Sequence, residues 1–269
     1  MIHDELIFLK KEYRKAYEQT VGDELITSLI NRKFVHSWRV FQNGMKIVKS
    51  DLKDTDARFL DMSAKALIFH DIGRFSEAVN IHNNRRLGEL GQKYDHGQMG
   101  AEILSSVKKY NDLKILLAVR HHGHIMEDFY NDSQYIALAE EDKKCTETLL
   151  KLVRDADKLD LYHLQIVNAS IENDVFFNSL SEDLKYCGVS DEVLKQFFCA
   201  KTILHSTIKN LPERILGCVS WQFDLNYPLT RKLYINNNYR EVLLGLFDKY
   251  CTDKHLTEEI TQFARKSLD

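Results

Sequence analysis

Apolar residues recur at steps of three and four along most of this chain, the spacing that lines one face of an α-helix. Leu113, Leu116 and Leu117 keep that step, and His121, four after Leu117, falls on the same stripe. Leu149, Leu152, Val153, Ala156 and Leu159 form a second face, shared by Asp155, which lies three after Leu152 and four before Leu159. A carboxylate aimed into apolar surroundings is costly unless it is paired or binds metal. A third helix, carrying Ala64, Leu67 and Ile68, runs into His70-Asp71 and is expected to stop at Ile72-Gly73. His36, four before Val40 and eleven before Ile47, lies on another apolar face. No stretch alternates polar and apolar with β-branched enrichment, so the predicted fold class is all-α.

Breaks in the pattern are few, because only two prolines and eleven glycines interrupt the chain. Residues 76 to 95 and 123 to 134 read as loops, and further interruptions fall at Asn210-Leu211-Pro212 and Asn226-Tyr227-Pro228. No Gly/Ser linker, repeat or low-complexity run appears. The expected organisation is a helical core over residues 1–165, with a helical extension over 166–269 packed on it as part of one structural unit.

Composition changes this picture little. The 269 residues are 44% hydrophobic and 29% charged, which is ordinary for a globular protein with an ample core. A formal net charge of −3 gives no electrostatic reason to expect a long nucleic acid as partner. Five scattered cysteines without a C-x-x-C read as reduced thiols. The charged N-terminal segment does not look like a secretory signal, and no apolar run is long enough to span a bilayer, so the expected setting is cytoplasmic, away from membranes.

The candidate chemistry lies in the order H…HD…H…H…D, formed by His36, His70-Asp71, His96, His121-His122 and Asp155. The gaps are 34 residues from His36 to His70 and from His121 to Asp155, and 25 from Asp71 to His96 and from His96 to His121. Imidazole and carboxylate together suit one or two divalent metals among Mn, Fe, Co, Ni and Zn, with carboxylate also admitting Mg. One histidine on an apolar face is usually a hydrogen-bonded core residue; five in this order, with an adjacent carboxylate, point to metal. A carboxylate beside an imidazole can bridge two cations, which can generate a nucleophile from water and clamp a phosphoryl group. Arg74, three after Asp71, and Lys158, three after Asp155, are candidates to grip phosphate, or else structural ion pairs. Asp95 either orients His96 or caps the helix that follows it. His82 and His124 fall in the two loops, within reach of substrate. Phosphate-loop, dinucleotide, serine-hydrolase and H-E-x-x-H motifs are absent.

The segments FVHSWRV, ALIFHDIGRF, DHGQMGAEIL, LAVRHHG and LVRDADKLD resemble, in that order, the HD superfamily of metal-dependent phosphohydrolases over about residues 30 to 165. The run HDIGRF…RDADKLD is similar to an uncharacterised bacterial subgroup, with a later W-x-x-D-x-N-x-P stretch matched by Trp221 to Pro228. This resemblance implies an HD-domain helical bundle with a helical C-terminal extension. It implies that His36, His70, Asp71 and Asp155 hold one metal and that, if a second binds, Asp71 bridges to it and His96 and one of His121 and His122 complete its shell. Helical phase favours His121, which leaves His122 outside the ligand shell or facing substrate. It also implies cleavage of a phosphate mono- or diester of a small, nucleotide-like molecule by metal-bound hydroxide at Asp71, and the candidate catalytic groups read from the residues beside it are Arg74 and Lys158. Two alternatives stand beside it: a di-iron oxygenase of the same superfamily, and a metal-containing module that binds a signalling nucleotide without turnover.

Overall fold

Aspartates placed just ahead of apolar runs start several helices of this protein. The computed structural model describes residues 2–87, 94–167 and 180–267. After α1 (His3–Gln19), the Asp23 carboxylate accepts from the Ile26 amide at 3.3 Å and opens the long α2 (Glu24–Asp51). Asp56 does the same for α3 (Ala57–Phe69), accepting from Phe59 at 2.7 Å. After α4 (Gly73–Leu87), Asp95 caps α5 (His96–Ser105) through Gln98, and Asp112 caps α6 (Leu113–His121) through Lys114, each at 3.0 Å. Each cap satisfies an amide that the first helical turn leaves open. Short α7 (Met126–Tyr130) and α8 (Ser133–Ile136) lead into the long α9 (Glu140–Val167).

Packing divides the chain into two compact units, one ending at Asp157 and one beginning at Lys158. That division and the boundary expected at residue 165 both fall within α9. The first unit packs α2 on α3 and α4, α4 on α5, and α5 on α6. Leu9, Ile30, Val40, Ile47, Leu67, Phe69, Phe75, Leu117, Phe129 and Leu152 are buried there.

Two glycines permit the close approaches around α5. A Cβ on Gly73 would lie 2.0 Å from the His96 carbonyl oxygen, and one on Gly97 would lie 2.2 Å from that of Arg120. Gly73 therefore does not end α3 as expected. That helix stops at Phe69, and Gly73 opens α4, where backbone meets backbone with no room for a side chain. The loop expected over 76 to 95 is helical through Leu87, while residues 88–93 lie outside the described residues. The segment 123 to 134 is a pair of turns around the single-turn helices α7 and α8.

The second unit contains α10 (Glu182–Lys185), α11 (Asp191–Phe198), α12 (Leu211–Ser220), α13 (Pro228–Asn236), α14 (Tyr239–Tyr250) and α15 (Lys254–Lys266). Its core joins Tyr162, Phe197, Ile215, Val219, Tyr234, Leu243, Phe247 and Ile260. Both prolines sit in the first turn of a helix, where a missing amide costs nothing. Among the described residues there is no strand, only an isolated parallel bridge between Cys187 and Cys251, and no helix is long and apolar enough to cross a membrane. All five cysteines are free.

Candidate metal centre

Asp71 is the hub of the first unit. It sits in the tight turn between α3 and α4, where the Ile72 amide donates to the Phe69 carbonyl at 3.0 Å and the Arg74 amide to that of Asp71 at 2.9 Å. Its two oxygens face two sets of imidazoles. Oδ2 lies 3.4 Å from His36 Nε2 and 3.6 Å from His70 Nε2. Oδ1 lies 3.4 Å from His122 Nε2 and 3.5 Å from His96 Nε2. Asp157 joins the first set, with Oδ1 3.1 Å from His36 Nε2 and 3.8 Å from His70 Nε2. His36, His70 and Asp157 form one group able to hold a metal ion, and His70, Asp71 and His122 form another.

The backbone aims these rings. His70 Nδ1 donates to the Leu67 carbonyl at 2.9 Å, and His122 Nδ1 to that of Val119 at 2.7 Å. A carbonyl only accepts, so the proton sits on Nδ1 and the Nε2 lone pair of each ring points inward. Within each set the Nε2 atoms lie 3.2 Å apart, for His70 with His36 and for His96 with His122. Inward-facing nitrogens beside buried carboxylates form a donor set that fits divalent cations.

Burial and charge hold these groups in ligand form. Burial pushes His70 down to about 4 and His96 to about 2, the latter helped by His122, so both rings are neutral near pH 7. Burial would raise the Asp71 carboxyl, but Lys33 and the facing imidazoles outweigh it and hold it well below the usual range. Asp157 is lowered in the same way against its burial, chiefly by His36. Lys33 Nζ donates to Asp71 Oδ2 at 2.8 Å.

Two expected positions are corrected by their neighbours two and one places along. The carboxylate brought to His36 is that of Asp157, while Asp155, fully buried, is not part of the cluster. Around this turn α9 is buried on nearly every side: Leu152, Val153, Arg154, Asp155, Ala156, Lys158 and Leu159 are all covered, so an apolar stripe cannot single out one carboxylate. The ring that faces Asp71 is that of His122, just past the end of α6, and not that of His121. His121 Nε2 instead meets Asp132 Oδ2 at 2.8 Å, and Arg120 reaches the same oxygen at 2.9 Å. The even gaps of 34 and 25 residues do not survive these shifts.

The remaining candidates have other partners. Arg74 Nη1 donates to Glu77 at 2.7 Å, while its buried Nε, 3.5 Å from Asp71 Oδ1, has no hydrogen bond. Lys158 opens the second unit and donates to Asp224 at 2.7 Å, which gives the Trp221–Asp224 turn an ion pair. His82 lies on α4, not in a loop, and pairs with Asp23 at 3.0 Å. Asp95 caps α5 and accepts from His124 at 3.1 Å, so neither reaches the cluster. Lys33, Asp157 and Arg154 escaped the sequence reading. Lys33 lies three before His36, on the same helical face, and Asp157 is the second aspartate of the RDADKLD run.

Residues 34–162 match the family model of the HD domain. This segment is an HD domain. The matched span contains every histidine and aspartate of the cluster. No curated protein and no solved structure matches the chain. The all-α fold of an HD domain agrees with the architecture, and the HD-domain cluster is able to bind divalent metal.

Proposed function

We propose that this protein is a metal-dependent phosphohydrolase that cleaves a phosphate mono- or diester of a small, nucleotide-like molecule. One observation carries the reading: Asp71 presents one oxygen to His36 and His70 and the other to His96 and His122. His36, His70, Asp71 and Asp157 would hold one cation, and Asp71, His96 and His122 a second. Bound divalent metal supplies a nucleophile from water at neutral pH and offsets the charge of the phosphoryl group.

The chain's own groups do the rest. His70 and His122 stay fixed through their carbonyl partners. Arg74, whose Nε lies 3.5 Å from Asp71 Oδ1 and whose Nη1 is held by Glu77, would lend its positive charge to a substrate phosphate beside Asp71. Lys158 does not enter this mechanism, because Asp224 engages it. The free thiols support a cytoplasmic setting.

The test is phosphate release by purified protein from a panel of monoesters, nucleotides and cyclic dinucleotides, under argon, with Mn, Co, Mg and Fe supplied in turn. Release without dioxygen is expected from at least one ester. Turnover that requires iron and dioxygen together, with no phosphate released, contradicts the hydrolase and indicates an oxygenase. Tight nucleotide binding with no turnover under any metal contradicts it in favour of a binding module.

A further inference from the structure

We propose that Arg154 is a positioning residue that holds His122 in the metal centre by gripping the backbone beyond α6. The inference rests on the two-cation reading above. Arg154 is 6% exposed, and its Nη1 lies 2.9 Å from the His122 carbonyl oxygen and 3.4 Å from that of His121, with the His124 carbonyl as a third acceptor. Carbonyls at a helix C-terminus have no amide partner within the helix, and a cation there also complements the helix dipole. An ordinary helix end meets these needs with water or a glycine. Here a buried guanidinium meets them at the residue whose ring faces Asp71.

The placement links the two halves of the site. Arg154 lies three before Asp157 on α9, one turn from the carboxylate that faces His36. One side chain therefore ties the helix bearing Asp157 to the segment bearing His122. The same segment is held at its flanks by the His124 amide on the His121 carbonyl at 3.1 Å, by His124 on Asp95 and by His121 on Asp132, but none of these contacts reaches the His122 carbonyl. The Val119 carbonyl sets the rotation of the His122 ring, and Arg154 sets where the backbone beneath it lies. All three contacts are made by the one nitrogen Nη1, and a lysine keeps the charge but not the rigid planar guanidinium that fixes where that nitrogen sits.

The experiment is calorimetric titration of the metal-free protein with Mn²⁺ and with Co²⁺, for wild type, Arg154→Gln, Arg154→Lys and His122→Ala, with folding checked by circular dichroism. Arg154→Gln is expected to bind the first cation as wild type does and the second about 10- to 100-fold more weakly. Arg154→Lys should recover only part of that loss, and Arg154→Gln should add nothing in the His122→Ala background. If Arg154→Gln does not fold, Arg154→Lys carries the same comparison. Wild-type affinity for both cations in the variants overturns the positioning role, as does equal weakening of both, or a loss that adds to that of His122→Ala. A wild type that takes up one cation overturns the two-cation reading instead, before any variant is measured.

Discussion

Asp71, His70 and Asp157 divide the labour of the site at the scale of single residues. Burial keeps His70 neutral, and this has a consequence for the metal-free protein. Its imidazole titrates near 6.5 when unfolded and near 4 when folded, so between those values only the unfolded chain holds the proton. Stability is complete above pH 6.5 and is lost as pH falls toward 4, by on the order of 3 kcal/mol from this residue. His96 is shifted in the same direction and adds to the loss. Urea midpoints of metal-free protein should fall between pH 7 and pH 5, by about 2 kcal/mol from His70, and saturating metal should raise stability at both pH values without removing the drop, because metal binds the neutral rings. The choice between neighbouring aspartates is as direct to test. Asp157→Asn should lower bound metal, whereas Asp155→Asn should keep it and cost about 1–3 kcal/mol in stability, because its buried carboxylate is replaced. His36, His70, Asp71 and His96 were readable from order and helical phase. Asp157 and His122 were not: Asp155 is the more deeply buried of the two aspartates, His121 is as buried as His122, and the Val119 carbonyl three residues back turns the His122 ring inward.

Helix α4 shows how a polar residue can hide an element. Its buried positions are Gly73, Phe75, Ala78 and His82, so the steps of three and four are present. The last of them is a histidine, which reads as polar until Asp23, the cap of α2, is seen to receive it. His82→Ala should therefore lower the melting temperature by an amount equivalent to about 1–3 kcal/mol and leave metal content unchanged. Gly73 is the other point at which an element depends on one residue. A methyl group there meets the His96 carbonyl, which is backbone and cannot swing away, so α4 and α5 must part. Gly73→Ala is expected to cost about 1–3 kcal/mol or more, and also to weaken metal binding, because His96 moves with the strained backbone. Thermal melts with and without metal separate the two effects.

Across the whole molecule, the helical class was legible because only two prolines interrupt the periodicity and both begin helices. The division into units was less so, since it falls inside one unbroken helix with no change in composition to mark it. The later stretch from Trp221 to Pro228 gains a physical role in the ion pair of Asp224 with Lys158. Lys158→Ala should leave metal binding by the first unit intact while lowering stability. The central claim is that one carboxylate serves two cation sites, and metal content per chain after equilibrium dialysis against Mn²⁺ tests it most directly. Wild type should hold two equivalents, and Asp71→Ala, checked for folding, should lose both together with its phosphate-releasing activity. An Asp71→Ala protein that is folded and retains the wild-type metal content would contradict the account.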